Sequence, residues 1–162
     1  MAEPEGGPAT PPRVFLDADL LIAGSASTSG ASHVLLRLSE LGVIHGITSA
    51  QASAEAERNI ARKIPPALPA FRELIEAACA VVPVPPAAAV RPYGDQAHPK
   101  DAPILAAAVL AGCETLVTFN TRDFRPSGGL IVVEAPGAFL RRLRQVLATL
   151  AEHRSPPPPP GP

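Results

Sequence analysis

Aromatic side chains are scarce: there is no tryptophan, one tyrosine and five phenylalanines in 162 residues. With so few, no aromatic platform on which a single strand could stack its bases is apparent. Cysteine is as sparse, with only Cys79 and Cys113. Each sits among small apolar residues, and neither has a CxxC partner or a nearby histidine pairing, which excludes a disulfide framework and points to buried, reduced thiols in a cytosolic protein. No apolar run approaches the ~20 residues that cross a bilayer, so no membrane partner is expected. The opening MAEPEGGPATPP is acidic and prolyl where an export signal would be basic and then apolar. The charges nearly cancel, to a net of −1, so a polyanion would have to be met by a local basic patch.

What is abundant is small apolar sequence and proline: hydrophobic residues make up 46% and there are 21 prolines. The length suits one domain with a real core. The prolines gather at the two ends and in one central loop. Residues 1–12 and the proline-rich tail 154–162 are therefore expected to be disordered or polyproline II, flanking a folded unit over 13–153.

Within that unit strand and helix patterns alternate. RVFLDAD reads as a strand, closed by the acid pair Asp17 and Asp19. SHVLLRLSELG places Val34, Leu35, Leu38 and Leu41 on one helical face, with Ser32 as the cap and Gly42 as the stop. VIHGITS is a second strand, AQASAEAERNIARKI and LPAFRELIEAACA are helices, and VVPV is a strand leading into the loop PPAAAVRPYGDQAHP. KDAPILAAAVLAGC predicts a helix capped by Asp101, with Pro103 in its first turn and Gly112 closing it. ETLVTFN and LIVVEA are strands, and GAFLRRLRQVLATLAEH is an amphipathic terminal helix, expected to pack on the domain or a partner. The alternation predicts an α/β fold, a three-layer α/β/α sandwich around a central, mostly parallel sheet.

Ligands of such sheets bind beyond the carboxyl ends of the strands. Asp17 and Asp19 stand at one strand end, and Thr118 and Asn120 at another, with Asp123 following. Glu55 lies on the helix after the second strand, and Asp101 heads the helix before LVTFN. Carboxylates brought together repel and resist desolvation unless a cation neutralises them. Mg²⁺ or Mn²⁺ is the simplest cation, because either binds oxygen and needs few carboxylates. Such a site can activate water and stabilise a phosphate during in-line displacement, so the implied reaction is phosphodiester hydrolysis.

VFLDADLLIAG, TSAQASAEAERNI and KDAPILAAAVLAGCETLVTFNTRDF, in that order, resemble the motifs of PIN-domain nucleases, the group that includes the VapC-type toxin ribonucleases. The resemblance runs from about Arg13 to Ala135. It implies a PIN-like fold and a ribonuclease, with RNA as substrate, an antitoxin partner and a homodimer. Residue by residue, it implies that Asp17, Glu55, Asp101 and Asp123 are catalytic and hold the metal together with Asn120. Thr118, Asp19 and Asn59 are auxiliary. Position 19 is often Asn in the family and position 120 often Asp, and this chain has the reverse at both, which leaves the number of metal ions open.

Arg58, Arg62 and Arg122 are the candidate contacts to an RNA backbone, with Arg91 and Lys63 nearby. Glu57, two residues after Glu55, is read as the solvated spare. Asp95, His98, His33 and His45 are not expected to be ligands. Two other functions fit part of the sequence. Asp17-Ala-Asp19 after a strand also suits a phosphatase of the haloacid-dehalogenase type, and Asn120 suits a non-catalytic PIN-like binding module.

Overall fold

The fold was analysed in a computed structural model that describes residues 10–153. The expectations for 1–9 and 154–162 lie outside the described residues. The sheet has five strands, all parallel, in the order β3-β2-β1-β4-β5: β1 Arg13–Leu16, β2 His45–Ser49, β3 Ala80–Val82, β4 Thr115–Val117 and β5 Val132–Glu134. Val14, Phe15 and Leu16 of the central strand are all fully buried. A strand with no exposed face is one covered by helices on both sides, as a parallel sheet requires.

Between β1 and β2 run α1 (Ala18–Ala26) and α2 (Ala31–Glu40), and between β2 and β3 run α3 (Ala50–Lys63) and α4 (Leu68–Ala78). The chain then turns back past β1. The return carries α5 (Ala87–Val90) and α6 (Ala102–Leu110) into β4, and α7 (Pro136–His153) follows β5. Right-handed crossovers put the helices of the outward and return journeys on opposite faces. Accordingly α1 packs on α2 and α3, α4 joins them, and α7 lies on α2, whereas α6 packs on β2, β4 and α5. The three-layer sandwich read from the sequence is thus the fold. Within the described residues no helix is long and apolar enough to cross a membrane.

Local chemistry sets the element ends. Gly42 and Gly112 terminate α2 and α6 with φ of 73° and 68°, a left-handed backbone that glycine adopts without a Cβ penalty. β3 stops before Pro83, which has no N–H to give a ladder. Ser49 caps α3 by accepting from Ala52 N at 3.1 Å. Cys79 and Cys113 are free thiols, and burial pushes them up to about 12 and about 11, which makes them inert.

Three expectations are corrected. Strand β1 ends at Leu16, so Asp17 and Asp19 do not close it: Asp17 is the N-cap of α1 and Asp19 lies in that helix's first turn. Helix α1 itself has no counterpart in the sequence reading. It is apolar nearly all round because it is wedged among other helices, so no amphipathic period shows. Ser32 does not cap α2, which begins after Gly30; its Oγ is buried inside the helix without a partner.

Candidate active site

The strand order reverses at β1, whose neighbours β2 and β4 are reached by crossovers on opposite faces. The carboxyl ends of β1 and β4 therefore flank the topological switch point, where α/β sheets open a crevice. Asp17 continues the ladder there, its N–H donating to Val117 O at 3.1 Å. Its carboxylate Oδ1 accepts from Ala18 N at 2.8 Å, and its carbonyl accepts from Leu21 N at 3.1 Å. Asp17 is thus held at three points and buried, only 9% exposed. Burial, and then the charges of Asp19 and Asp101, push its carboxyl up to about 7, against the opposing hydrogen bonds from Ala18 and Thr118.

Asp19 ties the two strand ends together. Its Oδ2 accepts from Thr118 Oγ1 at 3.1 Å and from Phe119 N at 2.9 Å, while Thr118 Oγ1 itself accepts from Asn120 N at 3.1 Å. Thr118 is fully buried. Asp19 Oδ1 is also buried but has no hydrogen-bond partner. Burial raises this carboxyl above its ordinary range, although hydrogen bonds from Phe119 and Thr118, just past β4, pull it back.

Asp101 arrives from the other face. It heads α6 in helical rather than extended geometry, φ −101° and ψ −11°, so its side chain makes no capping bond. The expected cap is corrected: an N-cap carboxylate reaches its N–H groups from an extended backbone. Freed from that role, Asp101 Oδ2 is buried and unpartnered. Its carboxyl is raised by burial, and by Asp123 and Glu55, against the opposing charges of Lys100 and His98. The charge of Asp101 thus bears on Asp17, and those of Asp123 and Glu55 bear on Asp101.

Asp123 is placed by a staple between loops. Ala97 and Phe124 form an antiparallel bridge, His98 N donates to Asp123 O at 2.8 Å, and Arg125 N to Gln96 O at 2.6 Å. Phe124 is buried, so in the Asp-Phe pair the ring anchors the turn that carries the acid. Helix α3 is tied to the same loop through Gln51 Nε2, which donates to Lys100 O at 3.3 Å. Glu55 and Asn59 follow at four-residue steps on that face. Asn59 Oδ1 is buried and unpartnered, and Glu55, Arg58, Asn59 and Arg62 line an open cavity of about 400 Å³. Glu57 is instead paired with Arg72 of α4, which accounts for it structurally.

Asn120 and Arg122 are exposed on the turn after β4. His33 Nδ1 lies 3.1 Å from Gly24 O, and His45 is exposed on β2. Among the described residues no three His, Cys, Asp or Glu side chains stand close enough to form a ready-made metal site. The donor set nevertheless suits a hard divalent cation, which keeps several waters and needs few direct ligands. Asp19 and Asp101 are partly buried, and each carries one buried oxygen without a donor, Oδ1 and Oδ2 respectively.

The family model described as PIN domain matches residues 13–122. Among solved structures, VapBC2 from Rickettsia felis bound to a DNA fragment from their promoter has a chain similar to this one. It superposes with a TM-score of 0.58 at 15% identity, over 76% of this chain and 98% of that one. A second is Mycobacterium tuberculosis VapC20, described as a Sarcin-Ricin loop cleaving toxin, with a TM-score of 0.47 at 17% identity, over 64% and 86% of the two chains. No curated protein sequence matches.

Proposed function

This chain belongs to the PIN-domain family, and from that premise we propose that it is a divalent-metal-dependent ribonuclease that hydrolyses RNA phosphodiester bonds at the acid edge of its sheet. The family match sets aside the phosphatase reading. The observation that carries the proposal is Asp101: an acid at a helix start that declines the cap and instead buries an unpartnered oxygen beside Asp17, Asp123 and Glu55. Folding alone gives no reason for that arrangement, since a capping aspartate would stabilise α6 by about 1 kcal/mol.

Asp17, Glu55, Asp101 and Asp123, with Asn120, would hold Mg²⁺ or Mn²⁺. When bound, the cation supplies charge for the developing phosphorane and lowers the cost of generating a nucleophile from water. The residues of the chain do the rest. Burial and the neighbouring carboxylates push the Asp17 carboxyl up to about 7, and an opposite charge beside it would favour its ionised form. Asp19 and Thr118 lock the β1 and β4 ends at fixed separation. Arg58, Arg62 and Arg122 would grip flanking phosphates, which positions the RNA without reading its sequence.

As part of the same reading we place an inhibitory antitoxin and a homodimer among its partners, and its setting in the cytoplasm. The likeness of fold to a VapBC2 chain supports the first, and inert free thiols support the last.

The test is cleavage of a mixed panel of structured and single-stranded RNAs by purified protein with Mg²⁺, Mn²⁺ or EDTA, beside Asp17→Asn and Asp101→Asn. Metal-dependent cleavage lost in both variants is expected. Cleavage that survives in the variants, or that EDTA leaves intact, overturns the proposal. Metal binding with no turnover on any RNA favours the non-catalytic binding module.

A further inference from the structure

Four of the five phenylalanines are interior: Phe15, Phe71, Phe124 and Phe139 are all at most 5% exposed. Phe119 is 54% exposed, and it stands at the end of β4 between Thr118 and Asn120. The fold uses only its backbone, whose N–H donates to Asp19 Oδ2 at 2.9 Å and which any residue would supply. A single exposed apolar side chain is ordinary on a protein surface. The neighbours of this one are not ordinary. Its own backbone N–H and the hydroxyl of the preceding residue, Thr118, both donate to Asp19 Oδ2, so its Cα is fixed beside the acids. Arg122, three residues on, is exposed and has no ion pair among the described residues.

An apolar ring, a free guanidinium and a carboxylate edge within one turn of chain match the parts of a nucleotide strand: base, flanking phosphate and reacting phosphate. We propose that Phe119 is a stacking platform for an unpaired nucleobase beside the scissile phosphate, with Arg122 on a neighbouring phosphate. Stacking on an aromatic side chain contributes substantially per base and tolerates any base, because every base has a π-face. It also requires that face to be free, so the substrate class is single-stranded or looped RNA rather than duplex. The inference rests on the ribonuclease reading above; no platform is apparent in the sequence, where this ring is one of the scarce aromatics, and its exposure sets it apart.

Two measurements test it. In the first, Phe119→Trp is made in the Asp101→Asn background, where it is the only tryptophan in the chain. Single-stranded mixed-sequence oligoribonucleotides should quench its fluorescence; an abasic oligomer of equal charge and an RNA duplex should not. In the second, the oligoribonucleotide that the wild-type chain cuts best from that pool is used for kinetics. Phe119→Ala should raise KM about tenfold with little change in kcat, and Phe119→Trp should restore it. The penalty should vanish on a substrate abasic at the nucleotide beside the cut, a coupling that a merely structural role would not produce. Equal quenching by the abasic oligomer overturns the inference. So does a Phe119→Ala KM equal to wild type, or a weakening confined to self-association, which would make the ring a protein contact. Absence of any metal-dependent cleavage by the wild type defeats the ribonuclease reading instead, and the quenching arm still decides the stacking.

Discussion

Replacing Asp17 by Asn should make the metal-free protein more stable, although it removes a residue at the heart of the site. Asn keeps a side-chain oxygen for Ala18 N, and Asn is as good an N-cap as Asp, so the geometry of the α1 start survives. What disappears is a buried charge. Burial, Asp19 and Asp101 raise the Asp17 carboxyl from 3.8 to about 7. The folded form therefore holds this proton more tightly than the unfolded chain does. The stability it contributes is complete below about pH 4, declines as pH rises, and is gone above about pH 7. At about 1.4 kcal/mol per pH unit, the wild type loses on the order of 4 kcal/mol across that window, which the variant does not lose. For a domain of this size that is a difference in Tm of about 10 °C. The assay is thermal melting of both proteins in EDTA from pH 4 to pH 8, repeated with saturating Mg²⁺ or Mn²⁺. In EDTA the gap should open with pH in favour of Asp17→Asn. With metal the wild type should regain stability and the variant should not. A variant less stable than wild type at every pH in EDTA, or a gap that does not change with pH, would refute the reasoning.

Asp19 has a structural and an electrostatic part that two variants separate. Asp19→Asn retains an acceptor for Phe119 N and Thr118 Oγ1 and should melt near wild type with weakened metal affinity; Asp19→Ala strands both donors and should cost about 1–3 kcal/mol in urea unfolding as well. Gly24→Ala should destabilise by about 1–3 kcal/mol, because the new Cβ would meet Leu36 Cδ1 at 2.5 Å and the Ser32 backbone at 3.0 Å where α1 crosses α2. Arg58→Ala and Arg62→Ala should each lower RNA affinity uniformly across sequences. If each grips one phosphate, each should flatten the slope of log affinity against log salt by about 0.7; an unchanged slope removes them from the interface.

Much of the fold was legible because parallel α/β sheets announce themselves twice, in strand-helix alternation and in the glycine and proline punctuation at Gly42, Pro103 and Gly112; Pro83, read as part of the strand VVPV, instead ends β3 at Val82. Helix α1 was not legible. Leu20, Leu21 and Gly24 are buried against other helices, and a helix without a polar face has no period to read. That omission left Asp19 at a strand end when it lies in the first turn of α1, and it hid the cap that Asp17 forms just past β1. The acids themselves were visible as residue types at four places, and the resemblance ordered them; the loop staple through Ala97 and Phe124 that positions Asp123 is encoded by no local pattern. Sequence favoured Glu55 and left Glu57 as a solvated spare, with no partner in view. Arg72, fifteen residues on, settles Glu57's role from another helix. Phe119 was invisible for the opposite reason: sequence gives the number of rings, and only the fold says which one is left outside.

The most direct test of the central claim, that these carboxylates hold a divalent cation, is anomalous scattering from crystals of the protein grown with Mn²⁺. A peak enclosed by Asp17, Asp101 and Asp123, absent from crystals of Asp101→Asn, is predicted. Crystals of the wild type with no peak at that edge, or with manganese bound only elsewhere on the chain, would contradict it.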